Sequence, residues 1–133
     1  MPELTLDHAS RIVAQGRVAA QEAGLHAVFA VMDTGANLVA FSRMDGAWLA
    51  SNELAMAKAR TSVMFQAPSE ALNAPLQVGM PLPHFDHIHA GGLLLMGGGL
   101  PLMDEKGRLI GAVGVSGGTP AQDAALARAA SKA

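Results

Sequence analysis

Apolar residues recur at intervals of three and four through Leu6, Ala9, Ile12, Val13, Gly16, Ala20 and Ala23. This is the period of a helix with one face turned toward a core. Thr5 stands where an N-cap hydroxyl is needed, and Asp7 where the first turn favours negative charge. Gly24 is placed to end the helix, because a residue without a Cβ enters the left-handed conformation at little cost. The pattern then changes. Ala27 to Met32 is unbroken apolar sequence, Asp33-Thr34-Gly35-Ala36-Asn37 has turn chemistry, and Leu38 to Met44 is again strand-like. Together these predict a β-hairpin. The first strand shows no polar alternation, so both its faces are expected to be covered.

Asp45-Gly46 breaks the strand, and Trp48 to Gln66 reads as a second helix, ended by Pro68. Ser69-Glu70-Ala71-Leu72 suits one further short turn. Residues 75–83 carry Pro75, Pro81 and Pro83 and read as an ordered loop. After residues 84–89 and an apolar run at Leu93 to Met96, Gly97-Gly98-Gly99 leads into a strand at Leu100 to Met103. Asp104-Glu105-Lys106-Gly107 turns the chain into a last strand, Arg108 to Val115. Thr119-Pro120-Ala121-Gln122 then forms a capping box with proline at the first helical position. Two hairpins flank a helical middle. The expected architecture is a single α/β (α+β) domain over residues 1–133, with a mixed, mainly antiparallel sheet flanked by helices. The glycines fit neither a dinucleotide-binding fingerprint nor a Walker loop, since Gly97-Gly98-Gly99 precedes no helix.

Composition narrows the function classes. The chain has 133 residues, enough for one domain with a real core. It is 50% hydrophobic and only 15% charged. Soluble domains usually carry about 25% charged residues, so the apolar excess predicts a homo-oligomer that buries it. The net charge is −2 and no basic stripe is present, which argues against nucleic-acid binding. With no cysteine, thiolate catalysis, zinc–thiolate sites and Cys-ligated haem are excluded. No apolar stretch approaches the ~20 residues of a membrane helix, and the amino terminus lacks a basic segment followed by an apolar run. A cytoplasmic location is the expectation.

Several stretches together resemble a known family: Leu4-Thr5-Leu6, the run Ala30 to Phe41, Arg43 to Ala47, a helix carrying Glu53, Lys58 and Ala59, Gly97 to Leu102, Gly111 to Thr119, and Gln122-Asp123. As a set they are similar to the GlcG/HbpS-like (haem-degrading-domain) family, which includes the carboxy-terminal domain of PduO-type proteins. The resemblance covers almost the whole chain. It implies a profilin-like fold, oligomerisation, and haem or another small ligand as partner.

The densest chemistry is His84-Phe85-Asp86-His87-Ile88-His89. In an extended segment His87 and His89 share a face, and His84 and Asp86 can fold in beside them. Neutral imidazoles ligate haem iron or a divalent metal, which makes His84, His87 and His89 candidate metal ligands. The same histidines, with Asp86, could instead act in acid–base catalysis or bond an organic ligand. The plainer reading is a solvated or interface segment. Gly117, Gly118 and Thr119 open a helix, where free N–H groups and the dipole favour a ligand's carboxylate; a simple capped turn is the alternative. Glu53 and Lys58 gain interest from the resemblance, with Lys58 able to hold a substrate carboxylate. Otherwise both belong to a solvated face. Trp48 and Phe85 could wall a flat ligand or an interface. His8 and His26 read as structural or exposed. Two function classes follow. One is a module binding haem or a similar small ligand. The other is a small enzyme, cofactor-free or metal-assisted, in which a histidine of the cluster moves a proton on an oxygenated or carboxylated substrate.

Overall fold

The computed structural model describes residues 3–73 and 92–133. Helix α1 spans Leu6–Glu22. The Thr5 hydroxyl accepts a hydrogen bond from the His8 N–H at 3.1 Å, and Gly24 follows the helix with φ +69°. The buried residues are Ala9, Ile12, Val13, Gly16 and Ala20, the middle of the stripe that the periodicity marks, while Leu6 and Ala23 at its two ends are exposed. Strands β1 (Val28–Asp33) and β2 (Leu38–Arg43) form the first hairpin. Helix α2 (Ala50–Phe65) and a 3-10 turn (Ser69–Leu72) follow. Strands β3 (Gly99–Met103) and β4 (Leu109–Ser116) form the second hairpin, and α3 (Pro120–Ser131) closes the described chain. The sheet order is β2-β1-β4-β3, and each of its three strand pairs is antiparallel.

The side chains of β1 explain why the run carries no polar alternation. Phe29 and Val31 point into a core with Ile12 and Val13 of α1, Val113 and Val115 of β4, and Leu126 of α3. Val28, Ala30 and Met32 point the other way, toward Ala55, Ala59 and Val63 of α2. Alternate side chains of one strand thus serve two apolar layers, and every β1 residue from Val28 to Val31 is fully buried. Helices α1 and α3 cover one face of the sheet and α2 the other.

Helix α2 begins two residues later than the pattern predicts. Trp48 and Leu49 precede its first turn and stand 82% and 78% exposed. No side chain caps the start. The helix ends at Gln66, which takes φ 51°, ahead of Pro68.

Both hairpin loops use the same device. The Asp33 carboxylate accepts from the N–H groups of Gly35 and Asn37 at 2.9 and 3.0 Å. Asp104 accepts from the N–H groups of Lys106 and Arg108, both at 2.9 Å, and its second oxygen accepts from Arg108 Nε at 2.8 Å. The Asn37 N–H, against the opposing effect of desolvation, holds Asp33 below the ordinary carboxylate range, and the Arg108 N–H does the same for Asp104. A carboxyl group with a depressed folded value stabilises the fold above the unfolded value. That contribution is lost as the pH falls below about 4 and through the folded value. The Asp33→Asn/Asp104→Asn double variant should therefore show a flatter acid limb in urea melts between pH 5 and pH 2. An acid limb identical to wild type would show that neither loop carboxylate contributes to it.

Candidate functional site

The carboxyl end of β4, the start of α3 and the start of α2 enclose a cavity of about 520 Å³. Its apolar wall comes from Leu25, Trp48, Leu54 and Met96. Its floor is polar and buried: Ser51, Lys58, Ser116 and Asp123. Local chemistry fixes several of these groups. Ser116 Oγ lies 3.3 Å from Ser51 Oγ and joins β4 to α2. The Thr61 hydroxyl accepts from the Leu94 N–H at 3.0 Å. Ser69 Oγ accepts from the Gly99 N–H at 2.9 Å and donates to the Met96 carbonyl. These bonds tie the 92–99 segment to the helical layer and bring Met96 to the cavity.

Beneath the cavity lies an ion pair. Lys58 Nζ donates to Asp123 Oδ2 and to the Val115 carbonyl, each at 2.9 Å, and the two side chains are 2% and 3% exposed. The other oxygen of Asp123 accepts from the N–H groups of Gly117 and Gly118 at 3.0 and 2.8 Å. The Thr119 N–H donates to Gln122 Oε1, and the Thr119 hydroxyl accepts from the Gln122 N–H, so the capping box is complete. The donors that the sequence offers to an external anion are thus used by the chain's own side chains. Asp123 takes the place of that anion, both at the helix start and on Lys58. Lys58 is correspondingly a buried, paired lysine and does not present a free ammonium to the cavity.

The cavity brings together Trp48, Lys58, Gly117, Gly118 and Thr119. Glu53 is not among them. It lines a smaller cleft of about 240 Å³ with Arg60 and Leu93. A helix turns about 100° per residue, so residues five apart, such as Glu53 and Lys58, point in clearly different directions. His84, Phe85, Asp86, His87 and His89 lie outside the described residues. Among the described residues no group of three or more His, Asp or Glu side chains could hold a metal ion, and no helix is long and apolar enough to cross a membrane.

For two residues sequence reasoning missed the place at the cavity, although it read His26 as structural or exposed and noted Asp123 in the family pattern. His26 is exposed, lines the cavity and packs beside Gly46. Asp123 holds the floor. A buried acid four residues after an N-cap threonine has no local signature, and its partner Lys58 is 65 residues away. His8 is structural: its Nε2 hydrogen-bonds the Ala133 carbonyl at 3.0 Å.

An antiparallel four-stranded sheet, helices on both faces and a cavity where the end of β4 meets the starts of α2 and α3 define an α+β domain with a pocket at its edge. The chain belongs to the family described as haem degrading protein HbpS-like, whose model matches residues 4–132. It is 34% identical over 127 residues to an uncharacterised 15.0 kDa protein from the dhaT-dhaS intergenic region of Citrobacter freundii, a match covering 96% of this chain and 89% of that one. Among solved structures it is similar to Klebsiella pneumoniae protein ORFY, at 32% identity and TM-score 0.93, covering 97% of this chain and 88% of that one. It is also similar to PduOC in a complex with haem, at 29% identity and TM-score 0.92, covering 98% of this chain and 94% of that one.

Proposed function

We propose that the chain binds a small, flat organic ligand, haem or a related tetrapyrrole, in the cavity beside Trp48. The carrying observation is the make-up of that cavity: an apolar wall over a polar floor whose charges are already paired. Its volume of about 520 Å³ suits a ligand of that size. Haem fits the groups present. Trp48 and Leu25 offer faces to a flat ring, and His26 and Met96 are side chains of the kinds that ligate haem iron. In this reading His84, His87 or His89 supplies the axial ligand, with His26 as the alternative within the described residues. Met96, seven residues after His89 in the sequence, lines the cavity. Phe85 is assigned to the ligand wall, and Gly117, Gly118 and Thr119 to the rim. The similarity to a haem complex supports the same reading. A divalent metal on the histidine cluster is the variant of this proposal in which no porphyrin is present. The homo-oligomer expected from composition would cover exposed apolar side chains such as Leu49 and complete the wall beside Trp48.

The enzyme alternative uses His84, Asp86, His87 or His89 to move a proton and Lys58 to hold a substrate carboxylate. It requires Lys58 to leave Asp123, and the buried pair favours the binding reading.

The test is an absorbance titration with haem on wild type and on His26→Ala, His84→Ala, His87→Ala, His89→Ala and Trp48→Ala. Wild type should give a saturable Soret shift, and one histidine variant should lose the axial-ligand signature. Trp48→Ala should bind about three- to tenfold more weakly, the range of one aromatic contact. Its melting temperature should not change, because the side chain is 82% exposed. A wild-type protein that shows no saturable shift would overturn the haem reading.

A further inference from the structure

A second cleft, of about 610 Å³, adjoins the first and shares Gly24, Leu25 and His26 with it. Its chemistry is different. Arg17 reaches it from α1 and Arg43 from the end of β2, with Gln21 and Ser42 adding further polar groups. Asp45 is the one acid in its lining. The described structure gives a carboxylate partner to Lys58 and to Arg108, and none to Arg17 or Arg43. Two arginines from elements apart in sequence therefore line one cleft, with a single acid in the same lining. A planar guanidinium presents paired N–H donors that match the two oxygens of a carboxylate. The turn carrying Gly24, Leu25 and His26 lines both clefts, one with arginines in its lining and the other with an apolar wall.

Resting on the binding reading above, we infer that the Arg17–Arg43 cleft takes the carboxylate groups of the ligand whose apolar body lies against Trp48. The ligand class is then an amphiphilic organic acid: a flat apolar body with carboxylates on one edge. His26 sits at the junction, where it can touch either part.

The experiment compares haem with haem dimethyl ester, whose carboxylates are uncharged, on wild type, on Arg17→Ala/Arg43→Ala, and on Arg128→Ala as a surface-charge control on α3. Wild type should bind haem about fivefold or more tightly than the ester, and the preference should shrink as salt is raised. The double variant should lose that preference and bind the ester as wild type does. Arg128→Ala should behave as wild type. A double variant that keeps the full preference for haem would overturn the assignment of this cleft while leaving the binding reading intact. A wild type that binds neither porphyrin would overturn both. Circular dichroism of the double variant separates lost recognition from lost folding, and a folded variant is expected, since both arginines are exposed.

Discussion

Gly114→Ala should destabilise the protein more than any other single methyl addition in the sheet. Gly114 pairs with Ala30 of β1 and Gly99 of β3. A Cβ there would collide with the Ala55 carbonyl oxygen and come within 2.7 Å of the Ala59 nitrogen. Both obstacles are backbone of α2, which cannot rotate aside as a side chain would. The helix would have to lift from the sheet and open the layer that buries Ala30, Ala55 and Ala59. The expected loss is about 3 kcal/mol or more, the upper end of overpacking costs. Gly107→Ala is the comparison. It has open space around it but φ +76°, so the cost should be about 1 kcal/mol, from backbone conformation alone. Urea denaturation of the three proteins checks both values. Should Gly114→Ala fall within 1 kcal/mol of wild type, α2 does not rest on the sheet as closely as described.

The second large effect lies beneath the cavity. Asp123→Ala should cost about 3–5 kcal/mol, because it leaves the Lys58 ammonium buried without its counter-charge. Lys58→Ala should cost a similar amount by stranding the carboxylate. The Lys58→Met/Asp123→Leu double variant should recover most of the loss, since an apolar pair of similar volume needs no desolvated charge. Recovery should stop about 1 kcal/mol short of wild type. The carboxylate's bonds to the Gly117 and Gly118 N–H groups are gone, although those residues are exposed and water can replace it. A double-mutant cycle closed with the matching single variants, Lys58→Met and Asp123→Leu, is therefore the measurement that matters. Additive single losses would show that the two charges do not stabilise one another and would reopen Lys58 to a ligand. Strong coupling would establish the pair as the brace that joins α2, β4 and the start of α3 under the site.

Local chemistry made most of the fold legible. Thr5, Gly24 and the Thr119–Gln122 box bound their helices where capping requires, because each cap acts within about four residues of itself. Asp33 and Asp104 turn the hairpins through bonds to N–H groups two and four residues ahead. The apolar run of β1 announced a strand covered on both faces. The start of α2 was less legible: Trp48 and Leu49 are good helix-compatible residues, yet no cap fixes them and they remain outside the first turn.

The site divides in the same way. Trp48, Lys58 and Gly117 to Thr119 were visible as residues with chemistry, and the fold gathers them round one cavity. Their states were not visible. Whether Lys58 is free or paired depends on Asp123, and whether the α3 donors are open depends on the same carboxylate. His26 and the Arg17–Arg43 cleft arise where α1, β2 and the turn between α1 and β1 meet, which no spacing along the chain records. The sequence by itself determined the elements, their caps and turns, and the family, because those signals act over a few residues or over the pattern as a whole. Only the tertiary structure decided which charges are neutralised, which glycines admit a helix backbone and which side chains share a cavity. Those outcomes depend on distances between residues far apart in sequence, and a one-dimensional pattern holds no such distances.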